Sequence, residues 1–587
     1  MRIKKTIYVL LGVILLLLLL ASLNLFNHKK VYKNEVVVHV LSDPKGLNPL
    51  TVSDATTRNY ISPYVFQPLI AYDFKTYNML PVLAMAVPEV IRNGNELTAT
   101  LEIRPEARWD DGTPVTANDV AFSFKSIMCP NAQTANLRPG VDFFKEIILY
   151  PDNPRKITFR TGLILDLLSS FYEIKILPEN VFDPKHILRK YSFSQLITDA
   201  DRLSTAKDIK EFTDLFNSDK AAHDIDMAKG SAAYKAVAFE TGQRVILEKK
   251  KNWWGDKLVD VNMYFEAFPK RLVFETINDF NTAFTALKNE QIDFLFSTPI
   301  KDYIDLDNSP KFKKNFIKSN PPMLGYQGIG MNYADPILKD TVVRRALAHL
   351  INVDQLIEKV FYGFAQRTIG SIQPGKPYYN NNIKPYTYNP ELAMMMLAER
   401  GWKDSDNDGI LDKVIDGKKT DFEVTFTYNS GNSVREMVGL LFQRACYIAG
   451  IKVNVKPMDW SLFLDDLKKH KCQMWYQGWV SNPGLDDDKQ IYYTSSAIDG
   501  GNYMNFGNAK TDKIIDDIRV EMDSAKRNAM YMEWQEIQNA DLPYIYLYIQ
   551  TFRNCVHKRF ENIHETSIYP GAWFAGFKVK KEYKVED

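Results

Sequence analysis

An apolar run near the N-terminus separates a short membrane-compatible segment from a long water-soluble remainder. Three basic residues within the first five precede an almost uninterrupted apolar stretch from Ile7 to Leu23. Roughly 20 helical residues at ~1.5 Å each suffice to cross the ~30 Å hydrocarbon core of a bilayer. Because the basic residues come first, we expect the N-terminus in the cytoplasm and the rest of the chain outside.

Two fates of this segment, residues 1–30, are open from the sequence. A lipoprotein signal requires a cysteine directly after the apolar run, but position 23 is leucine and the first cysteine is Cys129, which excludes N-terminal lipidation. The segment is therefore an uncleaved membrane anchor, which we favour, or a long cleavable signal peptide. An anchor would hold the remaining chain on the periplasmic face of the inner cell membrane, and cleavage would release it into the periplasm.

Length and charge narrow the classes of protein. A chain of 587 residues suits more than one domain, since single cores seldom grow beyond ~250–300 residues. With 73 basic and 72 acidic residues the net charge is +1, so no basic surface for a nucleic-acid partner is indicated. The four cysteines are too scattered for a disulfide framework or a zinc site, and we expect buried thiols.

Two segments alternate strands and helices in the way that builds a parallel sheet. Residues 271–296 predict a β-α-β unit, and residues 422–479 predict a longer β-α-β-α-β unit. Such units imply right-handed crossovers. In open sheets of this kind, ligands bind beyond the carboxyl ends of the strands. The segment that leaves the last strand, residues 478–483, is therefore the first candidate for a pocket wall.

Patterning also predicts two helices and one boundary. A capping box at Ser433 and Glu436 starts the first helix of the longer unit. Residues 339–360 predict a single amphipathic helix, and the polar, weakly patterned residues 207–229 predict a crossing between domains. On the helix that follows Ser433, the residues expected to form the buried face are Met437, Leu440, Leu441 and Ile448.

Catalytic signatures are missing from the sequence. It contains no HExxH, GxSxG or Walker A motif and no dinucleotide-type glycine triplet. No two of the eight histidines stand at metal-ligand spacing. The sequence therefore predicts no catalytic residues and no enzymatic activity.

One loop has the spacing of a calcium site. Asp404, Asp406, Asp408 and Asp412 stand at positions 1, 3, 5 and 9 of such a loop, with glycine at position 6. Alternate side chains there converge oxygen ligands on a hard cation. The closing carboxylate is missing because position 12 is Ile415, with an aspartate one residue late. The loop is either a structural calcium site or a solvated acidic turn.

Residues 101–125, LEIRPEARWDDGTPVTANDVAFSFK, carry a pattern known from one family. They resemble the signature of the family 5 extracellular solute-binding proteins, the oligopeptide- and dipeptide-binding components of ABC importers. In that signature an alternating strand precedes W/F-x-DG-x-P-x-x-A-x-DV-x-F. Other segments resemble family markers in family order, namely residues 64–72 (YVFQPLIAY), 230–235 (GSAAYK), 252–255 (NWWG), 286–294 (ALKNEQIDF), 340–351 (DTVVRRALAHLI) and 542–548 (LPYIYLY).

The resemblance implies an α/β protein with the bilobal type II periplasmic-binding-protein fold, an extra subdomain in the first lobe, and the N-terminal transmembrane or signal helix ahead of it. Hinge closure around a ligand is characteristic of periplasmic binding proteins. The implied division is an N-terminal segment 1–30, lobe I in three parts (35–77, 223–320 and 541–587), the extra subdomain 78–222, and lobe II 321–540.

The resemblance also implies a ligand site. Relatives bind extended peptides partly through main-chain pairing, as when a strand is added to a sheet. Their aspartate for the peptide α-ammonium falls here on Asn482, and an amide supplies no negative charge. Either a nearby aspartate such as Asp486 replaces it, or the ligand has no free amino end. The remaining matched positions are Gln67, Pro68, Leu69, Trp479, Val480 and Ser481.

The implied function is capture of oligopeptides, or of a related small solute, and their delivery to the permease subunits of an ABC importer. The N-terminal helix would hold the protein at the inner membrane, and no cofactor is implied beyond the structural calcium ion. A peptide-binding chaperone or signal receptor without transport, and a hydrolase on the same scaffold, remain alternatives because a fold alone does not fix a function.

Overall fold

The computed structural model describes residues 31–586 with four exceptions, Ser53, Leu165, Asp166 and Asn482. The predicted membrane segment, residues 1–30, lies outside the described residues. Among the residues that are described, none of the helices combines the length and the apolar character needed to cross a bilayer. The fold is mixed α/β, as the sequence predicts.

A seven-stranded mixed sheet, sheet A, organises the first part of the chain. Its strand Glu35–Val40, with alternate valines fully buried, pairs in parallel with both Arg271–Thr276 and Phe294–Leu295. The helix Phe280–Lys288 connects those two strands, so the predicted β-α-β unit is confirmed. In spatial order the strands are Phe316–Ser319, Asn554–His557, Phe294–Leu295, Glu35–Val40, Arg271–Thr276, Arg244–Lys249 and Tyr234–Glu240. Other helices here are Ser62–Val65, Ile300–Asp305 and Pro310–Asn315.

A four-stranded antiparallel sheet, sheet C, shares its hydrophobic core with sheet A. The segment expected to hold the crossing, residues 207–229, is largely helical, and Ile209, Phe212 and Phe216 bury one face of it. The strands of sheet C in spatial order are Val90–Asn93, Glu96–Glu102, Asn153–Thr161 and Phe144–Tyr150. Its helices include Ala117–Met128, Leu167–Glu173, Glu179–Phe182, Phe193–Thr198, Ala200–Leu203, Lys207–Phe216 and Asp219–His223.

A six-stranded sheet, sheet B, has a core of its own. Glu423–Asn429 pairs in parallel with both Lys452–Met458 and Met474–Trp479, which confirms the β-α-β-α-β unit. In spatial order its strands are Ala365–Arg367, Tyr544–Gln550, Tyr326–Met331, Met474–Trp479, Glu423–Asn429 and Lys452–Met458. Its helices include Thr341–Ala348, Val353–Lys359, Pro390–Glu399, Ser433–Ile448, Trp460–Lys468, Ala509–Val520 and Ser524–Asp541.

Two expectations about helices beside sheet B are wrong. The single helix at residues 339–360 is two helices, because the Asn352 side chain caps the second one by accepting from Gln355 N at 2.9 Å. In the helix Ser433–Ile448, the cap is Asn432 rather than Ser433, and its side chain accepts from Arg435 N at 3.1 Å.

The helix Ser433–Ile448 also buries a different face from the one predicted. Val438, Phe442 and Cys446 are fully buried, with Gly439 beside them. A Cβ at Gly439 would lie 2.9 Å from Phe426 and 3.0 Å from Val455, so glycine lets the helix approach the sheet closely. The positions expected inside are 44–64% exposed, namely Met437, Leu440, Leu441 and Ile448.

Two short segments connect sheets A and B. Residues 320–325 lead from sheet A to sheet B, and residues 551–553 lead back. They run side by side, since Met323 N donates to Gln550 O at 2.7 Å and Phe552 N donates to Pro321 O at 2.9 Å. Within the part of the chain that the structure describes, these two segments are the connections between the two large sheets.

The predicted start of the C-terminal return at residue 541 is too early. Tyr544–Gln550 pairs with Tyr326–Met331 and therefore belongs to sheet B. Only Asn554–His557 joins sheet A, antiparallel to Phe316–Ser319. The apolar run YIYLYI does not reveal by itself which of two sheets it enters.

Candidate functional site

A cavity of about 340 Å³ lies between the side of sheet A and the side of sheet B. The segment that leaves the strand Met474–Trp479 contributes Val480, Ser481 and Pro483 to its wall. Met323 and other residues of the connecting segments close one part of it, and the sheet A side supplies the rest. The structure thus places the carboxyl end of this parallel strand at a cavity, where ligands gather in open sheets.

Aromatic rings cover much of the wall on the sheet A side. Tyr64 lies 4.6 Å from Trp573, and Trp573 lies 5.0 Å from Tyr264, measured between ring centroids. Burial raises the pKa of Tyr64 and Tyr264 well above the usual value, so both phenols stay neutral. Such a wall offers apolar contact area together with hydroxyl and indole donors.

Three polar side chains in this wall are buried without a hydrogen-bond partner among the described residues. They are the Gln67 amide, of which both the nitrogen and the oxygen are unpaired, the Ser62 hydroxyl and the Trp573 indole N–H. The three residues are only 1–7% exposed. An unsatisfied buried polar group costs about 1–3 kcal/mol. A ligand that pairs with these groups removes that cost.

Charged side chains stand in the same wall. Lys175 Nζ donates to the carbonyl oxygens of Tyr172 at 3.0 Å and Glu173 at 3.4 Å. Burial, helped by the nearby Arg58, lowers the pKa of Lys175 to about 8. Glu266 is engaged elsewhere, because its carboxylate is 2.6 Å from His564 Nε2.

The three ligand-binding residues predicted at positions 67–69 do not all line the cavity. Gln67 and Pro68 line the cavity, and Leu69 does not. Leu69 N donates to Phe171 O at 3.1 Å and Leu69 O accepts from Val82 N at 3.1 Å. Its main chain is thus used inside the fold, which corrects the expectation that it faces a ligand. At this point the side chain of Gln67 faces the cavity instead.

Two of the ligand-binding residues predicted after position 478 lie outside the cavity wall and bind other side chains of the fold. Trp479 is outside the cavity wall, and its Nε1 donates to Tyr544 Oη at 3.1 Å. Asp486 is also outside the wall, and Lys376 Nζ lies 2.7 Å from its carboxylate. Its charge is therefore neutralised within the fold, which corrects its expected role toward a ligand ammonium. Asn482 lies outside the described residues.

The acidic loop lies apart from the cavity. Carboxylate oxygens of Asp404, Asp406 and Asp412 lie within 4.8 Å of one another. Lys419 Nζ forms ion pairs with Asp406 and Asp412. Asp408 is not in this group, and its Oδ1 accepts from Ile410 N at 2.8 Å. Calcium binding at this loop stays a prediction.

The family of the chain follows from comparison with known proteins. The sequence model described as "Bacterial extracellular solute-binding proteins, family 5 Middle" matches residues 79–502, more than half of the chain. The chain belongs to this family. The resemblance seen in the sequence is confirmed.

Similar proteins have different named ligands. Oligopeptide-binding protein AppA of Bacillus subtilis is 26% identical over 522 residues, covering 88% of this chain and 86% of the relative. Heme-binding protein A of Haemophilus influenzae is 21% identical over 537 residues, covering 88% and 87%. The solved structure of AppA with a nonapeptide has a TM-score of 0.64 at 22% identity, covering 94% of this chain and 100% of that one.

The cavity contains residues that the sequence did not indicate. Arg58, Ser62, Lys175 and Trp573 belong to no motif and are separated by up to several hundred positions. Only the packing of three separate segments brings them into one wall. A single sequence holds no signal for that assembly.

Proposed function

We propose that this protein captures oligopeptides between two lobes and delivers them to the permease subunits of an ABC importer. Lobe I comprises sheets A and C, which share one core, and lobe II comprises sheet B. The observation that supports this most is the cavity of about 340 Å³ lined from both lobes beside the two connecting segments. Ligand pockets commonly measure about 300–1,000 Å³.

In this proposal the protein captures its ligand by closing the two lobes around it. The paired segments 320–325 and 551–553 are the only connections between sheets A and B among the described residues, so bending there moves the lobes as bodies. Hinge closure needs a few residues that absorb the change in backbone angles. The ligand stabilises the closed state because it contacts both lobes only there.

Peptides are the ligand class that best fits the wall. A peptide main chain offers N–H and C=O groups in alternation, and Gln67 presents an unpaired acceptor and an unpaired donor in one side chain. The aromatic rings around Tyr64 suit varied side chains. AppA, whose named ligand is an oligopeptide, is among the similar proteins.

We propose binding without turnover. A nucleophile and its base must be hydrogen-bonded to each other. Among the described residues of the wall, Glu173 and Arg58 have no hydroxyl partner, and Lys175 donates only to main-chain oxygens. A peptidase assay on the purified protein should therefore give no cleavage, and turnover that tracks the pure protein would contradict this part of the proposal.

We also propose that residues 1–30 tether the protein to the inner membrane. A tether raises the effective concentration of the receptor near its permease. Membrane fractionation after high-salt and carbonate washes should leave the full chain in the pellet. A chain lacking residues 1–30 in the mature protein would show cleavage instead.

The ligand class is tested by mass spectrometry of what copurifies with the protein. Short peptides should be released on denaturation. Val480 and Ile498 form a matched pair for the control, since they are 88% and 89% exposed and only Val480 lines the cavity. Val480→Glu should reduce the recovered peptide and Ile498→Glu should not. A cargo free of peptides would contradict the proposal.

A separate proposal concerns calcium at the loop of Asp404, Asp406 and Asp412. A bound ion would have to displace Lys419 from two of these carboxylates. Any ligand that binds only the folded state raises its stability. Calcium should raise the melting temperature of the wild type and not of Asp404→Asn. Equal melting curves of the wild type with and without calcium would show that the loop is an acidic turn whose carboxylates pair with Lys419.

A further inference from the structure

Two cations in the cavity wall have no anionic partner. The Arg58 guanidinium makes no hydrogen bond or ion pair with a described residue, and Lys175 has only two carbonyl oxygens. The Glu173 carboxylate opposes the lowering of the Lys175 pKa but forms no ion pair with either cation. Arg58 is exposed and Lys175 is half-buried, and a cation that is partly removed from water is stabilised by a counter-charge. The wall also holds the Glu266 carboxylate, which is engaged by His564, so both cations are left without an ion-pair partner in the described part of the wall.

The same part of the wall collects hydrogen-bond donors. Arg58 and Ser62 stand one turn apart on the continuous helical stretch at residues 57–65. Gln67 follows that stretch, and its carbonyl accepts from Ile176 N at 3.0 Å, directly beside Lys175. All four residues line the cavity, and Arg58 lies close enough to Lys175 to help lower its pKa. Charge-assisted bonds from such donors to a carboxylate are roughly twice as strong as neutral ones.

The buried, unpaired Gln67 amide is an independent sign that this region receives a ligand. Both of its polar atoms lack a partner while the residue is only 3% exposed. Structural glutamines at such burial are normally satisfied inside the fold. Asp486 of the second lobe does not serve as a partner for these cations, because it is held by Lys376 outside the wall.

Resting on the proposed peptide function, we infer that Arg58, Ser62, Gln67 and Lys175 form a subsite for a carboxylate of the bound peptide. The protein then selects peptides that place an acidic side chain, or their C-terminal carboxylate, against lobe I. A peptide ammonium is disfavoured there because two cations face it, while the Glu266 carboxylate of the wall is engaged by His564. The lack of a negative charge at Asn482 agrees with recognition through the carboxylate rather than the amino end.

Calorimetric titration with matched peptides tests this inference. The first set comprises alanine pentapeptides, amidated at the C-terminus, with glutamate at each position in turn, and the same peptides with glutamine. The second set compares free C-termini with amidated ones. In at least one matched pair, the peptide with the carboxylate should bind the wild-type protein about tenfold or more tightly than the peptide with the amide. Each 1.4 kcal/mol is about tenfold in the dissociation constant, and losing one partner of a buried charge pair costs more than that.

Variants assign the preference to the subsite. Lys175→Met and Arg58→Met should each weaken binding of the acidic peptide more than binding of its amide counterpart, and so remove most of the preference. Lys175→Arg should keep it, and Lys418→Met, on an exposed hairpin outside the wall, should change nothing. Melting curves of the free variants check folding, and Arg58→Met, at an exposed residue, keeps the test decisive if Lys175→Met misfolds.

The outcomes separate the inference from the function on which it rests. If peptides bind with equal affinity whether they carry the acid or the amide, the carboxylate subsite is overturned and peptide capture stands. If an acid preference exists but survives both methionine variants, the assignment to Arg58 and Lys175 is overturned. If no peptide of any charge binds, the proposed function itself fails together with the subsite.

Discussion

A methyl group at Gly484 should weaken ligand binding without weakening the fold. Gly484, in lobe II, approaches Tyr72 and Ser169 of lobe I. A Cβ at this position would overlap Tyr72 Oη and lie 3.1 Å from Tyr72 Cζ and 3.3 Å from Ser169 Oγ. Gly484 is not among the residues with positive φ, so alanine is penalised by this contact alone.

The magnitude follows from how firmly Tyr72 is held. The residue is 2% exposed, and its ring packs at 4.8 Å against Tyr172, so it has little room to move. Inserting a methyl group into such a contact costs about 1–3 kcal/mol. If the lobes are free to separate, the whole cost falls on the closed state. Gly484→Ala should then weaken peptide binding by about 5- to 150-fold.

The assay combines titration calorimetry with thermal unfolding of the free protein. Gly484→Ala should raise the dissociation constant and leave the melting temperature unchanged, because opening relieves the overlap. Gly162→Ala, with nothing within 4 Å of its Cβ, is the control. Adding Tyr72→Phe removes the overlapping oxygen and should restore part of the affinity. Unchanged affinity in Gly484→Ala would refute closure through this contact.

Three further predictions concern stability, each measured by urea denaturation. Burial raises the pKa of Asp488 to about 6, above an unfolded value of about 3.9, so this group makes the wild type less stable as pH rises from about 4 to 6, by up to about 3 kcal/mol. Asp488→Asn should lack that fall, and parallel pH profiles would contradict the assignment. Arg559 is 2.6 Å from the buried Asp293 carboxylate, so Arg559→Met should cost about 3–5 kcal/mol, and a cost below about 1 kcal/mol would show the pair is dispensable. Gly439→Ala should lower the free energy of unfolding by about 1–3 kcal/mol, because the new methyl group meets Phe426 and Val455. Leu440→Lys, at an exposed position, should change it by no more than about 0.5 kcal/mol. A larger loss for Leu440→Lys than for Gly439→Ala would show that the helix buries the face predicted from the sequence.

The strands were predictable because their signal is local. Residues 422–479 alternate apolar runs with helical patterns, and a parallel pairing is the only simple way to bury such runs. The helix face at Ser433–Ile448 was not predictable in the same way. Its inward side includes Gly439, which hydrophobic periodicity ignores, while its outward side carries large apolar residues.

The candidate site was only partly predictable for a related reason. The position of the cavity followed from the strand that ends at Trp479. The state of Asp486 did not, because its partner Lys376 lies 110 residues away in the chain. Arg58 and Lys175 likewise become candidate ligand contacts only when packing places them in one wall without an ion-pair partner. Local sequence cannot show which charges meet in space.

The most direct test of the account is the distance between the lobes with and without a peptide. The four native cysteines are buried, so cysteines introduced at the exposed Ile91 in lobe I and Ile498 in lobe II can be spin-labelled selectively. Pulsed dipolar spectroscopy should show the distance between the labels moving to a different, narrower distribution when a saturating copurified peptide is added. An identical distribution in both states, with binding verified by calorimetry on the same sample, would contradict capture by closure.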